Sequence, residues 1–255
     1  MTLDPKYFDA YCNLGVTYTE LGQYSEAEDS FHTAHRLKPS EVGPHFGLSG
    51  VYLGMNRFED SIQECERIIE LEPQNSFAYG CLASAQTKLG RHEDAVKSFQ
   101  KAIQLKPDEA DAYWNMGTTL WMMGRHSEAL QAAQDALAIQ PRCANAHCVI
   151  GLARRGMGDL DAAIREYKIA LDIDPNNLES RVNLADAHFD ESRYQEALEQ
   201  IEKASNLQPD HPDVRFLLGA IHAKLGHADV ARDQLTALKA LNPEYAEKLR
   251  QIMGE

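Results

Sequence analysis

The chain has 255 residues, a formal net charge of −14 and a pI near 5.1. That acidity argues against nucleic acid, whose phosphates need a basic footprint, and against anionic membrane surfaces. No apolar run approaches the roughly 20 residues a membrane span needs, and no signal-peptide core opens the sequence.

The first readable element is Leu3-Asp4-Pro5, and the same ending returns at Leu37-Lys38-Pro39 and Ile173-Asp174-Pro175. Eight of the ten prolines form a ladder with a step of 34 residues: Pro5, Pro39, Pro73, Pro107, Pro141, Pro175, Pro209 and Pro243. An unbroken period of this size is the mark of a stacked-repeat protein, which needs no single central core. The units run 8–41, 42–75, 76–109, 110–143, 144–177, 178–211 and 212–245, with 246–255 as a cap, and read as one solenoid over 1–255. The opening on the tail of a unit reads as a fragment of a longer array, from which an upstream signal or anchor would be missing. With that reservation the chain is expected to be cytoplasmic.

Each unit contains two amphipathic stretches. Positions 4, 7, 8 and 11 fall on one face at about 100° per residue. Position 7 is large: Leu14, Leu48, Leu82, Met116, Ile150, Leu184 and Leu218. Position 8 is small (Gly15, Ser49, Ala83, Gly117, Gly151, Ala185, Gly219), as is position 20 (Ala27, Ser61, Ala95, Ala129, Ala163, Ala197, Ala231). Small residues there let two helix backbones approach closely. Position 15 is the turn, with Gly22, Gly90, Gly124, Gly158 and Gly226, and with Asn56 and Ser192 as exceptions. The second run passes Phe31, Phe99, Tyr167, Ile201 and Leu235 at position 24 and ends at the ladder proline. Ser40, Asp108, Asn176 and Asp210 follow that proline and are suited to cap the next helix. The prediction is fourteen helices in seven pairs, a short capping helix over Tyr245 to Met253, and no strand.

This pattern resembles the tetratricopeptide repeat. Unit 1 carries its signature in Tyr11, Leu14, Gly15, Tyr18, Ala27, Phe31, Ala34 and Pro39. The resemblance implies an all-α fold, a right-handed α-solenoid (superhelix) of helix-turn-helix units whose first helices line a concave groove for a peptide or protein segment. Departures occur at position 11 (Gln86, Leu120, Arg154, His188, His222) and at position 24, which shrinks to Cys65 and Ala133. Unit 2 holds Gly43, Gly47, Gly50 and Gly54 with Pro44, and is expected to be the softest, since an interior glycine costs about 1 kcal/mol against alanine.

Catalytic signatures are absent, so the expectation is a non-enzymatic chain with no cofactor. Cys12, Cys65, Cys81, Cys143 and Cys148 are odd in number and contain no Cys-x-x-Cys, which reads as reduced small apolar residues. His32 and His35 lack a third ligand, so no metal site is expected. His188 and His222 are read as hydrogen-bonded residues of the repeat junctions.

The groove-facing positions of the first helices are 2, 5, 6, 9, 12 and 13. They hold Asn13, Asn115 and Asn183, all at position 6, whose amides suit an extended peptide backbone. These asparagines resemble part of the ladder in the repeat region of O-linked N-acetylglucosamine transferases, though Gly47, Cys81, Val149 and Leu217 interrupt it. Trp114 and Trp121 are the only tryptophans and share one side of a helix, either as packing between first helices or as an aromatic hot spot. Phe77 and Lys88 precede them and Arg155 follows. Residues 8–75 have net charge −8, 76–177 only −1 and 178–245 −5, so an uncharged or mildly acidic segment is least repelled in the middle. No lysine stands at position 5, which disfavours the carboxylate clamp that relatives use on chaperone tails. The partner is expected to be a protein or peptide segment, with no nucleic acid and no membrane. Self-association into a homo-oligomer and service as the substrate-recruiting arm of a larger enzyme, such as a glycosyltransferase, are the alternatives.

Overall fold

The computed structural model describes residues 7–254, so the opening Leu3-Asp4-Pro5 lies outside the described residues. It consists of two compact units, 1–125 and 126–255. The first contains α1 (Phe8–Glu20), α2 (Tyr24–Leu37), α3 (Gly43–Gly54), α4 (Phe58–Leu71), α5 (Ser76–Lys88), α6 (His92–Leu105) and α7 (Ala110–Met122). The second contains α8 (His126–Ile139), α9 (Ala144–Gly156), α10 (Leu160–Ile173), α11 (Leu178–Asp190), α12 (Tyr194–Leu207), α13 (Pro212–Lys224), α14 (Ala228–Leu241) and α15 (Pro243–Met253). Among the described residues there are fifteen helices and no strand, an all-α fold of the solenoid class. No helix among them is long and apolar enough to cross a membrane.

The turns follow from backbone chemistry. All seven residues at position 15 adopt positive φ, from 72° at Gly22 to 85° at Gly158, with Asn56 at 57° and Ser192 at 60°. Glycine suits this left-handed corner because it has no Cβ to meet the following carbonyl. Before Pro39, Pro73, Pro107, Pro175, Pro209 and Pro243 the chain leaves the helix in extended backbone, for example φ −131° at Asp174 and −153° at Asn242. The proline ring excludes the helical region for the residue before it.

The caps correct the sequence reading. Asp108, Asn176 and Asp210 lie in the turn one residue too early, and Ser40 two residues too early. The capping side chains are instead Asn75, Asn177 and Asn242, which accept from the backbone N–H of Ala78, Ser180 and Tyr245. The cap position falls two residues after Pro73, Pro107, Pro141, Pro175 and Pro209, three after Pro39, and one before Pro243.

Packing repeats with the sequence. Position 20 is fully buried in all seven units, from Ala27 to Ala231, with Ser61 in the second. In that unit position 8 is also serine, and the Ser49 and Ser61 hydroxyls satisfy each other at 2.9 Å. A Cβ added at Gly15 or Gly47 would fall within 2.7 Å or 2.3 Å of the Phe31 ring, so both glycines hold an aromatic side chain against bare helix. Gly54 does the same for Tyr24, whereas Gly43 and Gly50 face open space. Only the latter two therefore bear on the softness expected of unit 2.

Candidate partner-binding surface

Four first helices, α1, α3, α5 and α7, supply the groove-facing positions of the first unit. Asn13 stands exposed on α1. Phe46 on α3 meets Phe77 on α5 with ring centroids 5.3 Å apart, and Phe77 remains 62% exposed. Lys88 is exposed at the far end of α5, about 16 Å from Phe77 along the axis at 1.5 Å per residue, so the two mark opposite ends of a surface. Thr87 and Thr119 join α5 to α7 through hydroxyls 3.0 Å apart.

Helix α7 carries Trp114, Asn115 and Trp121, all half-buried. The Trp114 indole N–H donates to Asp111 Oδ1 at 2.8 Å, and the Asn115 amide donates to the Asp111 carbonyl at 2.8 Å. Asp111, not singled out in the sequence, fixes the indole before any partner arrives. Its signal was an acidic residue three positions before the tryptophan on one helix face. Neither tryptophan belongs to the buried core.

The groove-facing side chains of the second unit are more engaged with one another. Arg155 on α9 donates to Asp186 at 2.6 Å and Asp190 at 2.5 Å, both on α11. Burial works against its charge, but the two carboxylates more than offset that and raise its pKa. The Asn183 amide points at Cys148 Sγ at 3.7 Å, and burial pushes that thiol up to about 12. Phe189 meets Tyr194, and Phe216 meets Tyr245, as tilted ring pairs with centroids 5.4 and 5.0 Å apart. No three His, Cys, Asp or Glu side chains among the described residues converge to hold a metal ion.

Position 4, on the apolar face of the first helix, is aromatic in only three units. In four units it is polar and reaches position 23 of the same unit, 19 residues on. His45 meets Glu64 at 2.5 Å and His147 meets Glu166 at 2.7 Å. Arg181 donates to Gln200 at 3.2 Å and Arg215 to Gln234 at 3.0 Å. These clips tie the two helices of a unit where Tyr11, Tyr79 and Tyr113 stand in the others. His188 is buried, yet its Nδ1 has no hydrogen-bond partner, contrary to the reading that it would have one; Glu191 stops at 3.9 Å. His222 does find a partner in His227, at 3.0 Å.

Comparison with known proteins agrees with this geometry. The family models described as tetratricopeptide repeat match residues 8–41 and 74–142, and the one described as anaphase-promoting complex, cyclosome, subunit 3 matches 156–238. No curated protein sequence is matched. Among solved structures, a tetratricopeptide repeat protein from Parabacteroides merdae is similar over 98% of this chain and 100% of its own, with TM-score 0.77 and 16% identity. The APC/C hetero-tetramer Cut9–Hcn1 is similar over 99% of this chain and 50% of its own, with TM-score 0.79 and 17% identity. MamA is similar over 67% of this chain and 93% of its own, with TM-score 0.56 and 26% identity. The first two likenesses concern the fold alone. With the 34-residue period, the paired helices and these matches together, the chain belongs to the tetratricopeptide repeat family.

Proposed function

We propose that the chain is a non-enzymatic scaffold that binds an uncharged or mildly acidic peptide or protein segment along the first helices of its first unit. Repeats of this family generally serve protein interaction. The principal contact is assigned to Trp114, Asn115 and Trp121, with Phe77 and Lys88 beside them and Asn13 toward the N-terminal end. The observation that carries this reading is the Trp114 indole, half-exposed at a groove-facing position and held in place through Asp111. An aromatic already held in one rotamer has less entropy to lose on binding, and aromatics of this kind are the usual anchors of a binding surface. Arg155 and Asn183 belong to the second unit and already have partners of their own, so they are left out of this surface.

The test uses the protein's own fluorophores. Both tryptophans lie on α7, so intrinsic tryptophan emission reports on this surface alone. Titration with a library of extended peptides, uncharged, acidic and basic, is expected to give a saturable emission shift with the uncharged or mildly acidic members. Saturable binding that leaves the emission untouched would move the site elsewhere.

A further inference from the structure

The groove-facing side of α5 is nearly bare. Gly80, Ser84 and Lys88 stand four residues apart, so they form one ridge that turns only about 40° at each step. A Cβ added at Gly80 would meet nothing within 4 Å, so the ridge begins beside open space. The Ser84 hydroxyl is turned onto the Gly80 carbonyl at 2.9 Å. Lys88 closes the ridge, exposed and without an ion pair among the described residues.

The flanks are aromatic. Helix α5 lies between α3 and α7. Position 5 is Gly80 on α5, Phe46 on α3 and Trp114 on α7, so a glycine stands between two rings in one row. Phe77 reaches toward α3 to meet Phe46 and keeps most of its own ring in water. On the other side the Trp114 indole is pinned by Asp111. Register therefore puts ring surface on both sides of the space above Gly80. Ser84, Thr118 and Asn115 all turn donors back onto carbonyls of their own helices. Recognition here accordingly falls on apolar bulk and on charge.

On the partner-binding surface assigned above, and resting on that assignment, we propose that α5 reads a motif in the bound segment. A large apolar side chain sits over Gly80, and a carboxylate four residues later in an extended chain pairs with Lys88. The spacing is set by length: Gly80 and Lys88 lie about 12 Å apart along α5 at 1.5 Å per residue, and four extended residues span about 13 Å. Side chains four residues apart in an extended chain share one face, so both reach the ridge together. The charge is set by Lys88, the only cation at the groove-facing positions of α1, α3, α5 and α7. Asp111 stands at the opposite end, near the start of α7, so the acidic residue of the motif is directed toward Lys88 and away from it.

The probes are capped, otherwise uncharged peptides with one leucine followed by one glutamate at a spacing of two, four, six or eight residues. Binding to the full chain is read from tryptophan emission. The peptide with a spacing of four is expected to bind at least about fivefold tighter than those with two or six. Lys88→Gln should weaken it at least about threefold and leave its glutamine counterpart unaffected. Gly80→Leu fills the space and should weaken binding at least about tenfold, while the urea midpoint rises because leucine favours a helix over glycine. Saturable emission shifts that ignore spacing, Gly80→Leu and Lys88→Gln overturn the motif and leave the α7 surface standing. Tightest binding at a spacing of eight means a helical occupant and also overturns it. No shift with this series, when the wider peptide library still gives one, has the same consequence; no shift with either removes the surface itself.

Discussion

Ser192 offers the cleanest quantitative check on the turn chemistry. It holds φ 60° at a corner where five other repeats place glycine, with φ between 72° and 85°. A side chain in the left-handed region costs roughly 1–2 kcal/mol through contact of Cβ with the following carbonyl. Ser192→Gly removes that cost but frees the unfolded chain, which returns about 0.4–1 kcal/mol. The hydroxyl that is lost accepts only a long, exposed hydrogen bond from Tyr194 at 3.4 Å, so its removal adds little. The net expectation is a gain of about 0.5–1 kcal/mol. Asn56→Gly should gain less, since asparagine tolerates this region better than serine. Gly158→Ala should lose about 1 kcal/mol. Urea unfolding by far-UV circular dichroism measures the sum. Amide exchange at Arg193, whose N–H closes the turn onto the His188 carbonyl at 2.9 Å, reads the local effect where a repeat array unfolds in parts. A Ser192→Gly variant less stable than the parent, together with a neutral Gly158→Ala, would refute the reasoning.

Tyr167 is fully buried against Gly151, and its hydroxyl has no hydrogen-bond partner among the described residues. Tyr167→Phe should therefore stabilise by about 1 kcal/mol, and a loss of stability on urea unfolding would mean that the hydroxyl is satisfied. Burial holds the His188 imidazole below the usual histidine range, with Arg193 pushing the same way, and His35 and His222 are lowered by burial and by neighbouring histidines. A folded-state pKa below the unfolded value of about 6.5 gives full stability above about pH 7 and a decline as pH falls through 6.5. The urea midpoint should thus drop between about pH 7.5 and 5.5, less so in His188→Gln, and a flat or rising midpoint contradicts this. Gly50 sits in the interior of α3 with nothing within 4 Å of an added Cβ. Gly50→Ala should raise stability by about 0.5–1 kcal/mol on urea unfolding, and an unchanged midpoint would show that α3 is not weakened by this glycine.

Helix number, pairing and turn positions were legible in the sequence because each contact recurs every 34 residues. The small residues at positions 8 and 20 and the large one at 24 meet one another in unit after unit. The caps were misplaced by one residue, or two at Ser40, because polar side chains occupy both positions after the proline, and only the turn length decides which one reaches the helix. The clips from position 4 to 23 were hidden because the family pattern places an aromatic at 4 and the partner lies a full helix away. Helical phase puts Trp114 and Asn115 beside one another on α7, but Asp111's hold on them depends on rotamers and was not legible. Arg155 looked available because Asp186 and Asp190 lie 31 and 35 residues later, in reach only once α9 and α11 are side by side.

The central claim is that α7 presents a binding surface, and Trp114→Ala tests it most directly. Affinity for a peptide selected on the parent protein is measured by calorimetry, alongside far-UV circular dichroism of the variant. Intact helicity and a loss of roughly 2 kcal/mol or more in binding are expected, the scale of an aromatic anchor. Unfolding of the array by Trp114→Ala and Trp121→Ala, with binding by the folded fraction unchanged, would make these residues core and contradict it.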